Sequence, residues 1–245
     1  EGAGVSWTHL RPSGFFSNAL GWGELPGEGG FAVVNPGGQG RRLADFSWGD
    51  PGEIADLARM PRIVEAHGVR VDRRRIYAIG GSMGGQETLL LVARHPHRLA
   101  GAVAFDPATD MTRRYWDFAE LRHGSHLQAL ARDEIGGTPG TDPEAYDVRS
   151  PDYFARAIAD SGVPLQLYWS TADRVIVDQR VETGGLYDLI HGVNPRDRVW
   201  DFEGEWAHTA EMQPTRRMPR ALARFGLLPW SDVPRVPRRS RGIAA

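Results

Sequence analysis

Residues 75–85 read Arg-Ile-Tyr-Ala-Ile-Gly-Gly-Ser-Met-Gly-Gly, and the fold can be inferred outward from this stretch. Its first half is a short apolar run that is typical of a buried strand. Its second half is the pattern Gly80-x-Ser82-x-Gly84, and apolar residues at helical spacing follow through about Arg94. Glycines two residues either side of the serine suit a turn that leaves no room for Cβ atoms. The stretch therefore predicts a strand, a sharp turn and a helix, with Ser82 projecting from the turn.

The same turn suggests chemistry at Ser82. A helix that begins beneath the serine directs free backbone N–H groups and a partial positive charge toward the place where an oxyanion develops during acyl transfer. The N–H of Met83 is the expected first donor of such an oxyanion hole. The alternative is a glycine-rich turn that carries an ordinary serine, and the strand–turn–helix context favours the catalytic interpretation.

The composition removes several rival chemistries. The 245 residues include no cysteine, and all 29 basic residues are arginine, so lysine is absent as well. These absences exclude a disulfide framework, a cysteine-ligated metal, a cysteine nucleophile, a P-loop lysine and a Schiff-base lysine. The formal net charge of −2 gives no electrostatic footprint for nucleic acid. The longest aliphatic run, 89–93, is too short to span a bilayer.

Strand-like and helix-like segments alternate along the chain. Helical spacing of apolar residues follows Asp50-Pro51 and recurs near 83–94, 177–191 and 217–225. Short apolar runs that are typical of buried strands occupy 31–35, 75–79, 100–105, 164–169 and 198–202. This alternation predicts an α/β fold with a mostly parallel sheet flanked by helices.

Two segments depart from this rhythm. Residues 109–162 contain several aromatic side chains and a glycine-rich loop, and we expect them to form a small lid-like insertion over the carboxyl edge of the sheet. Residues 229–245 are rich in proline and arginine and form a tail. The predicted organisation is one α/β domain over 1–228, with the insertion inside it, followed by the tail.

A nucleophilic serine needs a base, and the base needs an orienting carboxylate. His208 follows the strand predicted at 198–202, and Asp173 follows the strand predicted at 164–169. Both residues therefore lie in loops at the carboxyl ends of strands, where the sites of α/β sheets gather. The chain order Ser82, Asp173, His208 fits a nucleophile, an acid and a base in that sequence.

Two other carboxylates stay open as the orienting acid: Asp106 follows the strand at 100–105, and Asp178 lies shortly beyond Asp173. The glycines at 38 and 40 predict a tight turn, because Leu43 occupies the place of the third glycine of a dinucleotide fingerprint. We expect no metal and no cofactor. The remaining histidines are weaker candidates for the base. His123 and His126 lie in the segment 109–162, and a metal role is disfavoured because no third ligand is suggested. The others are interpreted as surface, loop, capping or helix-end residues: His9, His67, His95, His97 and His191.

Taken together, these motifs resemble the α/β-hydrolase superfamily. The likeness is greatest to single-domain esterases related to the catalytic domain of prolyl oligopeptidase, and it extends over roughly residues 30–226. The resemblance implies that 1–228 is an α/β-hydrolase domain. It also implies that Ser82 is the nucleophile, His208 the general base and then acid, and Asp173 the orienting acid. The segments that carry the likeness, besides the loops of the acid and the base, are 71–76, 80–85 and 149–151.

One feature of the resembled family has no counterpart here. In that family, a strand ending in a His-Gly-type loop precedes the strand equivalent to 31–35, and its loop supplies the second oxyanion N–H. This chain begins at Glu1, with a short segment similar to the end of that loop. We expect the N-terminal strands to be missing, because a gap in the sheet leaves backbone groups unpaired at roughly 1–3 kcal/mol each. Gly2 and Ala3 are the candidates for the remaining oxyanion loop, and the alternative is that residues 4–8 fill the gap.

The sequence thus predicts a serine hydrolase that cleaves carboxylic esters through an acyl-enzyme. A serine peptidase of the prolyl oligopeptidase type and a non-catalytic hydrolase-fold binding protein are the alternatives. The expected partner is a small-molecule ester, with no nucleic acid and no membrane span, while the oligomeric state and the compartment, cytoplasmic or secreted, stay open. Four aromatic residues are candidates to line the substrate pocket or, alternatively, to pack in the core: Tyr115, Trp116, Phe118 and Trp206.

Overall fold

Four parallel strands form the sheet in the computed structural model, which describes residues 33–34, 46–68, 70–122 and 124–235. The strands pair in chain order, and each neighbouring pair is parallel. Because parallel neighbours need crossover connections, all four carboxyl ends lie at the same edge of the sheet. The strands are β1 (Tyr77–Gly81), β2 (Gly101–Phe105), β3 (Leu165–Ser170) and β4 (Val199–Gly204).

Eight α-helices lie within these described ranges, and short 3₁₀ turns flank several of them. A π-helix at Arg180–Gly184 leads directly into the seventh helix. The helices are α1 (Pro51–Ala66), α2 (Met83–Arg94), α3 (Met111–Asp117), α4 (Gly124–Ile135), α5 (Pro143–Asp147), α6 (Ala155–Asp160), α7 (Gly185–Val193) and α8 (Met218–Arg224).

Alternate residues of the strands face two separate apolar cores. Ala102 and Ala104 of β2 belong to a core that also contains side chains of α2, α6 and α7. Val103 and Phe105 of the same strand belong to a core that contains side chains of α8. Every residue of β2 and β3 is buried, because helices cover the sheet on both faces. This arrangement confirms the predicted fold class of a parallel sheet flanked by helices.

Asp50 begins α1 as the sequence predicts. Its Oδ1 accepts the backbone N–H groups of Gly52 at 2.8 Å and Glu53 at 3.3 Å, and Pro51 occupies the first helical position. Ile54 on this helix is fully buried in a cluster that includes side chains of α2. The apolar face of α1 therefore packs against α2, the helix that follows Ser82.

Residues 109–162 form a layer over the carboxyl edge of the sheet. The helices α3 to α5 build a third apolar cluster, in which Phe118 and Tyr146 are buried, whereas α6 packs in the core on one face of the sheet. Ile176, from the loop after β3, belongs to the same cluster and fastens this layer to the sheet edge. The lid-like character of this insertion and the domain boundaries at 228 and 229 stay predictions.

Three of the four strands, β1, β3 and β4, end one or two residues later than the sequence suggests. The glycines at the end of β1 look like turn residues, yet Gly80 and Gly81 still pair with Ala104 and Phe105 of β2. No strand is assigned to residues 33–34, and the rest of the predicted strand at 31–35 lies outside the described residues, as do the N-terminal segment and positions 236–245. Among the helices of the described ranges, none combines the length and the apolar character that crossing a bilayer requires.

Candidate active site

Ser82 lies at a sharp turn between β1 and α2. Its backbone φ of 56° and ψ of −125° fall in a region that residues with a side chain rarely adopt. Its N–H donates to the carbonyl of Phe105 at 2.9 Å, which fastens the turn to β2. A Cβ on Gly80 would lie under 3.0 Å from the carbonyl group of Gly84, so glycine is required at that position. The predicted strand, sharp turn and helix are confirmed.

His208 and Asp173 meet at the carboxyl edge of the sheet, in the loops after β4 and β3. Nδ1 of His208 lies 2.7 Å from Oδ2 of Asp173. Because an ionised carboxylate only accepts hydrogen bonds, Nδ1 is the donor, and Nε2 carries the free lone pair. Nε2 is buried and has no hydrogen-bond partner among the residues that the structure describes. This nitrogen is therefore available to a serine hydroxyl or to a substrate.

The Asp173 carboxylate is fixed in place by its own loop. Oδ1 accepts the backbone N–H groups of Val175 at 2.8 Å and Ile176 at 3.2 Å. Oδ2 accepts from the side-chain amide of Gln179 at 3.4 Å as well as from His208. The Asp173 side chain is entirely buried. Its orientation toward the imidazole is therefore determined by fixed donors on both oxygens.

The loop that carries His208 is held from two sides by residues that sequence reasoning did not assign to this task. Oδ2 of Asp106 accepts the indole N–H of Trp206 at 3.0 Å and the backbone N–H of Thr209 at 2.7 Å. Oγ of Ser170 donates to the carbonyl of Trp206 and accepts its backbone N–H, both at 2.7 Å. These bonds flank His208 in the chain and position its ring.

Asp106 lies close to the His208–Asp173 pair and is fully buried. Burial raises the pKa of Asp106 to about 7, and the nearby Asp173 carboxylate adds to the increase. Its Oδ1 is buried without a hydrogen-bond partner among the described residues. Asp178, the other alternative acid, forms an ion pair with Arg113 at 3.1 Å instead. Asp173 is therefore the carboxylate that contacts the imidazole of His208, and Asp106 lies close to both residues.

Asp106, Asp173 and His208 could each offer one ligand atom to a metal ion, since these atoms lie within 4.8 Å of one another. Protein donors already engage this set: two N–H groups reach Oδ2 of Asp106, and both oxygens of Asp173 accept hydrogen bonds. A hydrogen-bonded acid–base cluster describes the arrangement better than a cation cage. The expected independence of metals and cofactors stays a prediction.

A cavity of about 150 Å³ opens beside Ser82 and His208. Met83, the first residue of α2, also lines it, and the role of its N–H as an oxyanion donor stays a prediction. Most of the wall is apolar and comes from the segment before α1, from the 109–162 layer and from the loop after β3. The main apolar side chains are Trp48, Met111, Phe118, Leu127, Ile176 and Met212.

The four predicted pocket aromatics are distributed differently. Phe118 lines the cavity. Tyr115 is buried in the cluster of the 109–162 layer, where Arg132 donates to its hydroxyl at 2.8 Å. Trp116 is 55 % exposed, and the indole of Trp206 is turned into the core by its hydrogen bond to Asp106. Of these four, the structure brings Phe118 to the cavity.

Sequence reasoning missed Arg114, which also lines the cavity. The sequence shows two adjacent arginines on α3, and only the packing distinguishes them: Arg114 is buried, whereas the side chain of Arg113 is 35 % exposed. Burial lowers the pKa of Arg114. An arginine in an otherwise apolar wall is a feature that no local pattern could reveal.

The other predicted positions lie away from the cavity or outside the described residues. Four of them lie outside the described residues: Gly2, Ala3, His9 and His123. Nδ1 of His67 lies 2.8 Å from the carbonyl of Ile63 at the end of α1. The remaining histidines lie at helix ends or in helices, and among them Nδ1 of His191 is 3.3 Å from Asp197: His95, His97, His126 and His191.

Solved structures share this fold at low sequence identity. An acylaminoacyl peptidase of Pyrococcus horikoshii superposes with a TM-score of 0.56 and 17 % identity, over 74 % of this chain and 29 % of the peptidase. A putative dipeptidyl aminopeptidase IV of Bacteroides ovatus superposes with a TM-score of 0.54 and 21 % identity. The match covers 71 % of this chain and 22 % of the aminopeptidase. An esterase of Pyrococcus furiosus superposes with a TM-score of 0.53 and 18 % identity, over 85 % of this chain and 73 % of the esterase. At these identities the likeness shows the fold alone.

The chain spans less than a third of the length of the two peptidases. No curated protein matches the sequence. The model of the prolyl oligopeptidase family matches residues 30–183, which is more than half of the chain and contains both the Ser82 turn and Asp173. With the sharp Ser82 turn, the parallel sheet and this match in agreement, the chain belongs to the prolyl oligopeptidase family of α/β-hydrolases.

Proposed function

We propose that this chain is a serine hydrolase that cleaves carboxylic esters through an acyl-enzyme on Ser82. The observation that carries the proposal is the 2.7 Å contact between His208 and Asp173, beside a cavity that Ser82 also lines. The imidazole offers its buried Nε2 on the side away from the carboxylate. Membership of the prolyl oligopeptidase family supports the same set of roles.

In the proposed reaction, Oγ of Ser82 attacks the acyl carbon while Nε2 of His208 takes the hydroxyl proton. The oxyanion that develops lies at the start of α2, where the N–H of Met83 donates to it. Collapse of the intermediate releases the alcohol, which receives the proton from His208. A water molecule then attacks the acyl carbon while it loses a proton to His208, and collapse of this second intermediate returns the proton to Oγ of Ser82 and releases the carboxylic acid. Asp173 holds the imidazole tautomer and stabilises the imidazolium.

Peptide hydrolysis is the second candidate. It is favoured by the family match and by the named activities of the two peptidases that share the fold. The apolar cavity of about 150 Å³ favours the ester reaction, because it suits a single small acyl group. The third candidate is a binding protein with the hydrolase fold but no catalytic activity. In such a protein Ser82 would not react with a fluorophosphonate probe.

A panel of p-nitrophenyl esters, with matched p-nitroanilide peptides, tests the proposal. We expect turnover of the esters, and a loss on the order of 10⁶ in kcat for Ser82→Ala. Ser161→Ala is the matched control, because the Ser161 hydroxyl bonds the Ile158 carbonyl at 2.7 Å, away from the cavity. Normal ester turnover by Ser82→Ala would refute the assignment. A fluorophosphonate probe that fails to label the wild-type protein would instead favour the non-catalytic alternative.

A further inference from the structure

Arg114 brings a buried guanidinium to the wall of the cavity beside Ser82. The residue lies on α3, is 6 % exposed, and holds its Cζ 4.6 Å from the ring centre of Phe118. Its Nη1 is buried without a hydrogen-bond partner in the described part of the chain. A guanidinium carries five N–H donors, and donors left unpaired away from water cost free energy. The cavity wall therefore includes a cation with at least one buried N–H group, on Nη1, that has no acceptor among the described residues.

The nearest carboxylates are engaged by the adjacent arginine. Arg113, the neighbour of Arg114 on α3, pairs with three acidic residues: Asp178 at 3.1 Å, Asp117 at 3.7 Å and Glu182 at 4.0 Å. No ion pair to Arg114 is found within the described ranges, and Glu182, Asp117 and Asp173 act on its charge without a direct contact. The Nη1 of Arg114 thus has no carboxylate partner in the described part of the chain, although acidic groups lie near its charge.

Apart from Ser82, Gln86, His208 and Thr209, the rest of the cavity wall is apolar, and this low polarity strengthens the interactions of a buried cation. In a site of low polarity an ion pair is stronger than in water, so a single anionic group entering the cavity is drawn to the guanidinium. A planar carboxylate also matches the fork of N–H donors on arginine. The same apolar side chains pack against methylene groups that lead to this carboxylate.

We propose that Arg114 makes the cavity select substrates whose acyl group carries a second carboxylate, either a half-ester of a dicarboxylic acid or an acidic residue of a peptide. The inference rests on the proposed ester-hydrolysing function of Ser82. The acyl carbonyl lies at Ser82, and the chain of the acyl group extends along the apolar wall to place its carboxylate at Arg114. The acyl carbonyl therefore reacts at Ser82, while a different group of the substrate, its second carboxylate, is recognised at Arg114.

The test compares pairs of esters that differ only in charge. Mono-p-nitrophenyl esters of succinic, glutaric and adipic acids are each measured against the neutral ester in which a methyl group caps the free carboxylate. Rates with Ser82→Ala are subtracted, because half-esters also hydrolyse without an enzyme. A parallel arm compares N-acyl-glutamyl with N-acyl-glutaminyl p-nitroanilide, and so separates the ester source of the carboxylate from the peptide source.

We expect the wild-type protein to prefer at least one charged substrate over its neutral partner by about 10- to 100-fold in kcat/KM, the effect of one charge-assisted contact. Arg114→Met removes the charge at similar length, and this preference collapses to within about threefold. Arg114→Lys keeps the charge and retains part of the preference. Arg73→Met is the control, because the exposed Arg73 pairs with Glu65 and does not line the cavity, and it retains the full preference.

Each outcome decides the question. Equal rates for charged and neutral partners in both arms, with the neutral esters still hydrolysed, overturn the selectivity of Arg114 and leave the hydrolase proposal intact. A preference that survives Arg114→Met also overturns it. Failure to hydrolyse any ester or anilide, together with no fluorophosphonate labelling of Ser82, refutes the hydrolase proposal itself. Circular dichroism verifies folding of each variant, and Arg114→Lys decides the matter if Arg114→Met does not fold.

Discussion

The carboxylate of Asp106 accepts the backbone N–H of Thr209 at 2.7 Å, although the two residues are 103 positions apart. The same oxygen accepts the indole N–H of Trp206, so Asp106 contacts the chain on both sides of His208. Asp106 and Thr209 both adopt positive φ angles, of 43° and 56°, which residues with side chains rarely adopt. The imidazole is therefore positioned by strained backbone that one buried carboxylate holds in place.

Asp106→Asn changes how stability depends on pH. Burial raises the pKa of Asp106 from 3.8 in the unfolded chain to about 7 in the folded protein. Between these values the folded state binds a proton that the unfolded state does not, so the free energy of unfolding falls as the pH rises through this window. Asp106→Asn has no titrating group at this position, so its free energy of unfolding does not fall in this way. From pH 5 to pH 8 we expect the wild type to lose about 3 kcal/mol more than the variant.

Urea unfolding at intervals across this pH range measures the effect. The amide keeps an oxygen for the N–H donors of Trp206 and Thr209, and asparagine tolerates the positive φ as aspartate does. Glu87, whose pKa burial also raises to about 7, titrates in both proteins and cancels in the difference. Asp178→Asn, at an exposed position, is the control. Parallel stability profiles of Asp106→Asn and wild type would contradict a buried, proton-binding Asp106.

Asp173→Asn distinguishes the acids that the sequence leaves open. The amide no longer offers an anion to Nδ1 of His208 and favours the wrong imidazole tautomer, so we expect kcat to fall by about 10⁴-fold. Asp178→Asn breaks only the 3.1 Å ion pair with Arg113 and should leave kcat within about twofold. Steady-state ester hydrolysis measures both. A loss larger for Asp178→Asn than for Asp173→Asn would reject Asp173 as the orienting acid.

Ser170→Ala removes the link between the loops of Asp173 and His208. Oγ of Ser170 bonds the N–H and the carbonyl of Trp206 at 2.7 Å, and it also accepts the N–H of Ala172 at 3.0 Å. Leaving these buried groups unpaired should lower the free energy of unfolding by on the order of 2–4 kcal/mol. The activity should also fall, because the His208 loop loses a fixed point.

Thermal unfolding and ester kinetics together test this link. Thr171→Ala is the neighbouring control, since the exposed Thr171 hydroxyl makes a single bond to the Gly204 carbonyl at 3.3 Å and should change stability by less than about 0.5 kcal/mol. If Ser170→Ala were as stable and as active as Thr171→Ala, the two loops would be positioned by other contacts.

The sequence was sufficient to predict what local patterns encode. Apolar runs located the strands, and the glycine pattern located the Ser82 turn, because a Cβ on Gly80 has no space against Gly84. The loops of Asp173 and His208 could be placed at one edge because parallel strands bring their carboxyl ends together. These predictions depend on periodicity and topology, both of which a single chain displays.

What the sequence could not predict depends on contacts between distant segments. Trp206 stands two residues before His208 and suggested a pocket residue, yet Asp106 turns its indole into the core. Arg113 and Arg114 look alike in the sequence, and the packing of α3 alone buries one of them. Burial, partner choice and side-chain direction at these positions are properties of the assembled layers.

Gly80→Ala tests whether the Ser82 turn depends on the close approach of its two glycines. The added Cβ would lie under 3.0 Å from the backbone of Gly84, and backbone within a helix start cannot move aside cheaply. We expect unfolding to require at least about 2 kcal/mol less free energy, with slower ester hydrolysis because Ser82 is displaced. Gly185→Ala is the control, because open space surrounds that helical position and alanine should stabilise it by about 0.5–1 kcal/mol. Thermal melts and kcat measure both variants, and a Gly80→Ala protein as stable and active as the wild type would show that the turn can relax.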